Sequence, residues 1–149
     1  MRIALGSDHG GLSLKKEIIK HLKGKNIEVT DFGTHTEDSC DYPDYALKVA
    51  REVVEGNFEL GILVCGTGIG VSICANKVPG IRAALCADTF SAHATREHNN
   101  ANILTLGERT TGIGLALDIV DTFINAKFLG ERHQRRIDKI TEIEKKYCK

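Results

Sequence analysis

Five short apolar runs separated by longer helical patterns constrain this chain more than any other feature. The runs are "RIALGS" (2–7), "IEVTDFG" (27–33), "LGILVC" (60–65), "IRAALCA" (81–87) and "ANILTLG" (101–107). Between them, helical patterns cover Leu12–Leu22, Tyr45–Val54, Gly70–Val78, a stretch capped by Asp88 or Thr89 and running toward His98, and Thr110–Asn125; such spacing marks amphipathic helices. Repeated strand–helix alternation implies an α/β fold, a parallel sheet covered by helices on both faces. Ligands of such sheets bind beyond the carboxyl ends of the strands. That directs attention to Ser7–Gly11, Cys65–Gly70, Asp88 and Gly107–Thr110.

The 149 residues suffice for one domain, and the 20 Lys and Arg balance the 20 Asp and Glu. A neutral chain without a basic stripe argues against nucleic acid as the main partner. No apolar stretch is long enough to span a bilayer, and the N-terminal apolar run is too short for a signal peptide. The 5 cysteines form no CxxC pair, which speaks against a disulfide framework or a zinc site. The expected location is the cytoplasm, with thiols reduced. The last segment, 131–147, carries Ile137, Ile140 and Ile143 on a very polar background. That stripe is too narrow to fold alone and is expected to pack on the domain or on a partner subunit.

The segment "CGTGIG" (65–70) turns an apolar strand into a helix through Gly66, Gly68 and Gly70, with Thr67 and Ile69 between them. Glycines permit close backbone approach, and successive N–H groups at a helix start favour an anion. Three readings follow: a tight turn without ligand, a dinucleotide site with Asp88 on a ribose, or an oxyanion site beside a nucleophile or base. The dinucleotide fingerprint is incomplete, since Val71 stands in place of its third glycine and the first strand–helix turn is "GSDHGG". A phosphate-binding Walker loop is excluded, because no Lys-Ser or Lys-Thr follows the glycines. Cys65 borders the glycines at a helix start, where thiols ionise more readily. Cys74 and Cys86, set within apolar patterns, read as buried small hydrophobes.

Asp8 and His9 follow the first strand and reach the same rim as Cys65, although Asp8 also reads as a helix cap. His98 and Asn99 close the fourth helix, where a histidine also complements the helix dipole. His93 and His98 are on different helix faces, which disfavours a shared metal. In "ERHQRR", Arg132 and Arg136 lie one turn apart on one face. They read as a solvated helix end or as a phosphate clamp, which Arg109 could join from the rim or across an interface. Two anion positions, a nest beside a thiol and an arginine cluster with histidine, suit a sugar phosphate.

Taken together, "GSDHGG", "DYPDYA", "CGTGIG", "EHNNANILTLGER" and "ERHQRRI" resemble the type B ribose-5-phosphate isomerases, within the wider group of ribose and galactose phosphate isomerases. The resemblance spans essentially the whole chain. It implies a Rossmann-like three-layer sandwich with a five-stranded parallel sheet, and a homodimer, in some members paired into tetramers, whose active sites are shared between subunits. It also implies interconversion of D-ribose 5-phosphate and D-ribulose 5-phosphate without metal or organic cofactor. By motif, Cys65 matches the base that moves a proton between C1 and C2. Gly66, Thr67, Gly68, Ile69 and Gly70 match the loop holding the enediolate, and Thr67 assists ring opening. His98 matches the acid that opens the furanose, and Asn99 a sugar-binding neighbour. Asp8 and His9 match substrate contacts, Arg109, Arg132 and Arg136 the phosphate site, and Tyr42 a pocket wall. Some members replace the cysteine by a glutamate further along; Cys65 puts this chain in the cysteine branch. Six-carbon sugar-phosphate isomerases share much of this frame.

Overall fold

The strands β1 (Arg2–Ser7), β2 (Glu28–Asp31), β3 (Leu60–Cys65), β4 (Ala83–Leu85) and β5 (Ile103–Gly107) form one all-parallel sheet in the order β2-β1-β3-β5-β4. The computed structural model describes residues 1–148. The helices are α1 (Leu12–Gly24), entered through a 3-10 turn at His9–Gly11, α2 (Tyr42–Val54), α3 (Ile69–Ala75), α4 (Thr89–Asn99), α5 (Ile113–Asn125) and α6 (Arg132–Tyr147). No helix among the described residues is long and apolar enough to cross a membrane.

The central strands are apolar throughout because both faces are covered, which is what a buried parallel sheet requires. Side chains alternate between two cores. Ile3, Leu5, Ile62, Val64, Leu104 and Leu106 face α1, α4 and α5. Ala4, Leu63, Cys65 and Ile103 face α2 and α3. The expected sandwich is therefore present, and two of its shifted boundaries have a local cause. β4 is shorter than the apolar run 81–87, because it is an edge strand and Asn76 takes both polar groups of Ala83 on its open side, at 2.8 and 2.9 Å. α5 starts three residues later than the pattern predicts, because the N–H groups of Thr110 and Thr111 turn back to the Gly107 carbonyl.

β3 is flanked by β1 and β5, and the chain leaves β1 outward to β2 before returning to β3. The crevice for a ligand in such a sheet opens at this reversal, beyond the carboxyl ends of β1 and β3. The register pairs Ser7 with Val64 and Cys65 with Gly107, so the β1, β3 and β5 loops emerge side by side. One wall of that crevice is set by a fully buried ammonium. Lys15 Nζ donates to the Asp31 carboxylate at 2.7 Å and to the Thr34 carbonyl at 2.5 Å. A buried charge must be paired and hydrogen-bonded, and both of its partners lie at the start of the β2–α2 loop.

Candidate active site

Cys65 ends β3 with its side chain on the α2/α3 side, and its Sγ accepts from the Gly68 N–H at 3.1 Å. The residue is 5% exposed, at the mouth of the crevice. α3 has only 7 residues, so the loop's anion-binding capacity comes from local N–H groups more than from a long helix dipole. Thr67 is exposed, and its Oγ1 accepts from the Ile69 N–H at 3.3 Å. Tyr42 opens α2 and stands against the loop: a Cβ on Gly70 would lie 2.7 Å from Tyr42 Cζ. Tyr42 thus lies against the loop, on a helix that begins three residues before its predicted start.

Gly68 is the conformational key to the loop. Its φ is +76°, and a Cβ there would meet the Leu106 backbone carbon at 2.8 Å and Leu85 Cδ1 at 2.6 Å. A non-glycine residue in this conformation costs about 1–2 kcal/mol, and the backbone contact cannot yield. Gly68→Ala is therefore expected to lower Tm by more than about 4 °C and to reduce activity. Gly114→Ala, whose Cβ meets nothing within 4 Å, should leave Tm unchanged or raised. Calorimetric melting of both variants checks this; a parental Tm for Gly68→Ala would refute it.

The neighbouring loops close around Cys65. Asp8 is buried, and its Oδ1 accepts from the Gly10 N–H at 2.9 Å, so it caps the 3-10 turn. His9 is exposed, with Nδ1 accepting from the Cys40 N–H at 3.2 Å. Arg109 lies on this same rim: its N–H donates to the Gly66 carbonyl at 3.0 Å, and a Cβ on Gly66 would sit 3.5 Å from Arg109 Cδ. Three residues shape the site without having been given a role from the sequence. Glu108 donates its N–H to the Cys65 carbonyl at 2.9 Å and caps α1 by accepting from the Leu14 N–H at 2.8 Å. Cys40 steadies His9, and Lys15 anchors the loop that carries Cys40. The sequence holds one clue: α1 starts at Gly11, which has no capping side chain, so an outside acceptor is required.

His98, Asn99, Arg132 and Arg136 are elsewhere. The Gly61 N–H bonds to the Asn102 carbonyl at 2.9 Å, so the end of α4 is level with the start of β3. Gly61 and Cys65 are then separated by about 13 Å at ~3.3 Å per strand residue. α6 begins at this same amino edge, held by the Leu129 N–H on the Glu97 carbonyl at 3.1 Å. His98 stacks on His133, ring centroids 4.5 Å apart and 14° from parallel. Desolvation, and then the charges of His98, Arg132 and Arg136, push His133 below the ordinary histidine range. Arg132 and Arg136 are exposed at this edge. The residues grouped by sequence thus form two clusters at opposite ends of the sheet.

Asp88 caps α4, accepting from the Ser91 N–H at 2.6 Å and from Ser91 Oγ at 2.9 Å. β5 stands between β3 and β4, and the Asp88 carboxylate is already taken up at the start of α4. The dinucleotide reading loses its ribose ligand to that cap. Cys86 is buried as expected, and burial, then Asp88, pushes its thiol up to about 11. Cys74 is only partly buried. Among the described residues no group of three or more His, Cys, Asp or Glu gathers in a metal-binding arrangement.

Fold and site together define an α/β protein that holds a thiol beside a backbone anion nest at the reversal point of its sheet. Residues 3–140 match the family model described as Ribose/Galactose Isomerase. The chain is 48% identical to ribose-5-phosphate isomerase B of Escherichia coli over 145 residues, 97% of each protein. It superposes on the structure of Clostridium thermocellum ribose-5-phosphate isomerase B with TM-score 0.98 and 60% identity, covering 99% of both chains. The Mycoplasma genitalium enzyme with bound ribulose-5-phosphate matches with TM-score 0.92 and 49% identity, covering 97% of this chain and 96% of that one. This chain belongs to the ribose/galactose isomerase family.

Proposed function

We propose that the protein interconverts D-ribose 5-phosphate and D-ribulose 5-phosphate, as its relatives' names state for them. The observation that carries the reading is the Cys65 thiol 3.1 Å from the Gly68 N–H, a proton acceptor and an oxyanion cradle side by side. His98 protonates the ring oxygen as the furanose opens, with Thr67 assisting at the C1 hydroxyl. The Cys65 thiolate takes the C2 proton, and the N–H groups of residues 66–70 stabilise the resulting enediolate. The same sulfur returns the proton to C1 while the hydroxyl proton passes from O2 to O1. Asp8, His9 and Asn99 hold the sugar hydroxyls; Arg109, Arg132 and Arg136 hold the phosphate, for which guanidinium forks are suited. Proton transfer of this kind needs neither metal nor organic cofactor, and a reduced thiol suits the cytoplasm.

One chain cannot assemble this site, because Cys65 and His98 belong to opposite edges of its sheet. A two-fold partner laid along the β4 edge runs antiparallel and brings its amino edge to the first subunit's carboxyl edge. Ile69, Ile73, Leu85 and Phe90 are exposed around that edge, at 51%, 58%, 41% and 70%, and contiguous exposed apolar surface favours a partner. In this homodimer the whole chain acts as one isomerase unit, with α6 lying against the neighbouring subunit. An aldose-to-ketose assay on ribose 5-phosphate, allose 6-phosphate and galactose 6-phosphate tests the reading. Fastest conversion of the five-carbon substrate is expected; no conversion of it, or faster turnover of a six-carbon one, overturns the assignment.

A further inference from the structure

Arg82 precedes β4 and has no part in the mechanism above, yet it is tied to the end of α4 more firmly than capping requires. α4 already ends in a left-handed residue, Asn100 at φ 47° and ψ 44°, and the N–H groups of Asn100 and Ala101 return to the carbonyls of Arg96 and Thr95. That arrangement by itself completes a helix end. Beyond it, Arg82 Nε donates to the carbonyls of Asn99 at 3.0 Å and Asn100 at 3.1 Å. Arg96 donates from one terminal nitrogen to the Ala101 carbonyl at 2.5 Å. Burial lowers both guanidinium pKa values, and the charge of Arg82 lowers that of Arg96 further. Two half-buried cations are thus crowded at one helix end, where the helix dipole favours positive charge.

The contacts continue into a ring. The Arg82 N–H donates to Asn102 Oδ1 at 2.8 Å, and Asn102 Nδ2 donates to the Gly80 carbonyl at 2.9 Å. The Gly80 N–H reaches both Glu144 carboxylate oxygens at 3.2 Å. Glu144 belongs to α6, whose first turn carries His133, stacked on His98. The Arg82 side chain thus grips the last turn of α4, while the route to α6 runs from its backbone N–H through Asn102 and Gly80.

We propose that Arg82 is a positioning residue for His98: by gripping the Asn99 and Asn100 carbonyls it sets how α4 presents the imidazole. The inference rests on the ring-opening role given to His98. Misplacing an acid by a fraction of its bond length is costly, so Arg82→Gln should lower kcat on ribose 5-phosphate by about 10- to 100-fold. Arg82→Lys, which keeps the charge and one reach, should recover part of the loss. The discriminating measurement is the cycle with His98→Asn, because residues acting as a unit are non-additive. In the His98→Asn background the Arg82→Gln change should cost less than about twofold. A readout independent of turnover accompanies it: the His98 imidazole resonances should move in Arg82→Gln while those of His9 stay. Unchanged kcat, losses that multiply in the two backgrounds, or unmoved His98 resonances would each overturn the proposal. So would failure of both Arg82 variants to fold, since that would leave Arg82 a structural residue. If the parent chain does not turn over ribose 5-phosphate, the proposed function fails, while the resonance experiment still judges Arg82.

Discussion

Cys65→Ala is expected to lower kcat on ribose 5-phosphate by about a thousandfold, within the range for losing a positioned base, and to leave the fold in place. Cys86 and Cys74 are poor replacements for it. Cys86 is buried and its pKa is pushed up to about 11, so its thiolate is scarce at neutral pH. Burial, then the charge of Asp44, raises the pKa of Cys74 as well. The substitution removes one buried sulfur and leaves the Gly68 N–H without its acceptor, a cost of about 1–3 kcal/mol, which a folded domain of this size tolerates. Substrate affinity should change little, because the phosphate site proposed above is built from arginines and does not include the sulfur. Stopped assays, melting and calorimetric titration of ribose 5-phosphate onto the variant check the three parts. Turnover near the parental value would remove Cys65 from the reaction.

Mixing two severely impaired proteins should restore activity. A Cys65→Ala subunit keeps His98, and a His98→Asn subunit keeps Cys65. In their heterodimer one shared site has both residues and the other has neither. Random exchange puts about half of all dimers in that form with one good site in two, so about a quarter of parental activity returns. The physical basis is the distance within one subunit: His98 closes α4 at the amino edge of the sheet, while Cys65 ends β3 at the carboxyl edge. Mass spectrometry of differently tagged subunits verifies the heterodimer before activity is read. A verified heterodimer without activity rejects the shared site.

The strands and helices were legible because their signals are local. β1 occupies the residues its apolar run predicts, and Asp88 caps α4 as its position before that helix suggests. Edges were less legible. The apolar run around β4 extends to Ile81 and Ala87, but pairing on one side only, with Asn76 closing the other at Ala83, leaves a strand of 3 residues. The glycine loop was legible for a third reason: Gly68 occupies a backbone conformation that side chains rarely adopt, and that requirement is written as a residue type.

By itself the sequence determined which segments form strands and helices, that the sheet is parallel and covered on both faces, and which chemistry-bearing residues flank the strand ends. Periodicity of 2.0 and 3.6 is a property of neighbouring residues, so it survives without tertiary information. Only the folded structure decided that β5 lies between β3 and β4 and that the Asp88 carboxylate is occupied by Ser91. The folded structure also divided the candidate residues, leaving Asp8, His9 and Arg109 near Cys65 and sending His98, Asn99, Arg132 and Arg136 to the opposite edge. Glu108 on the α1 start, Lys15 under the β2–α2 loop and Arg82 on the α4 end were decided there as well. These are contacts between elements, and strand order and crossover geometry set which elements meet. A local pattern specifies that a face must be buried or a helix end satisfied, but not which distant segment does it.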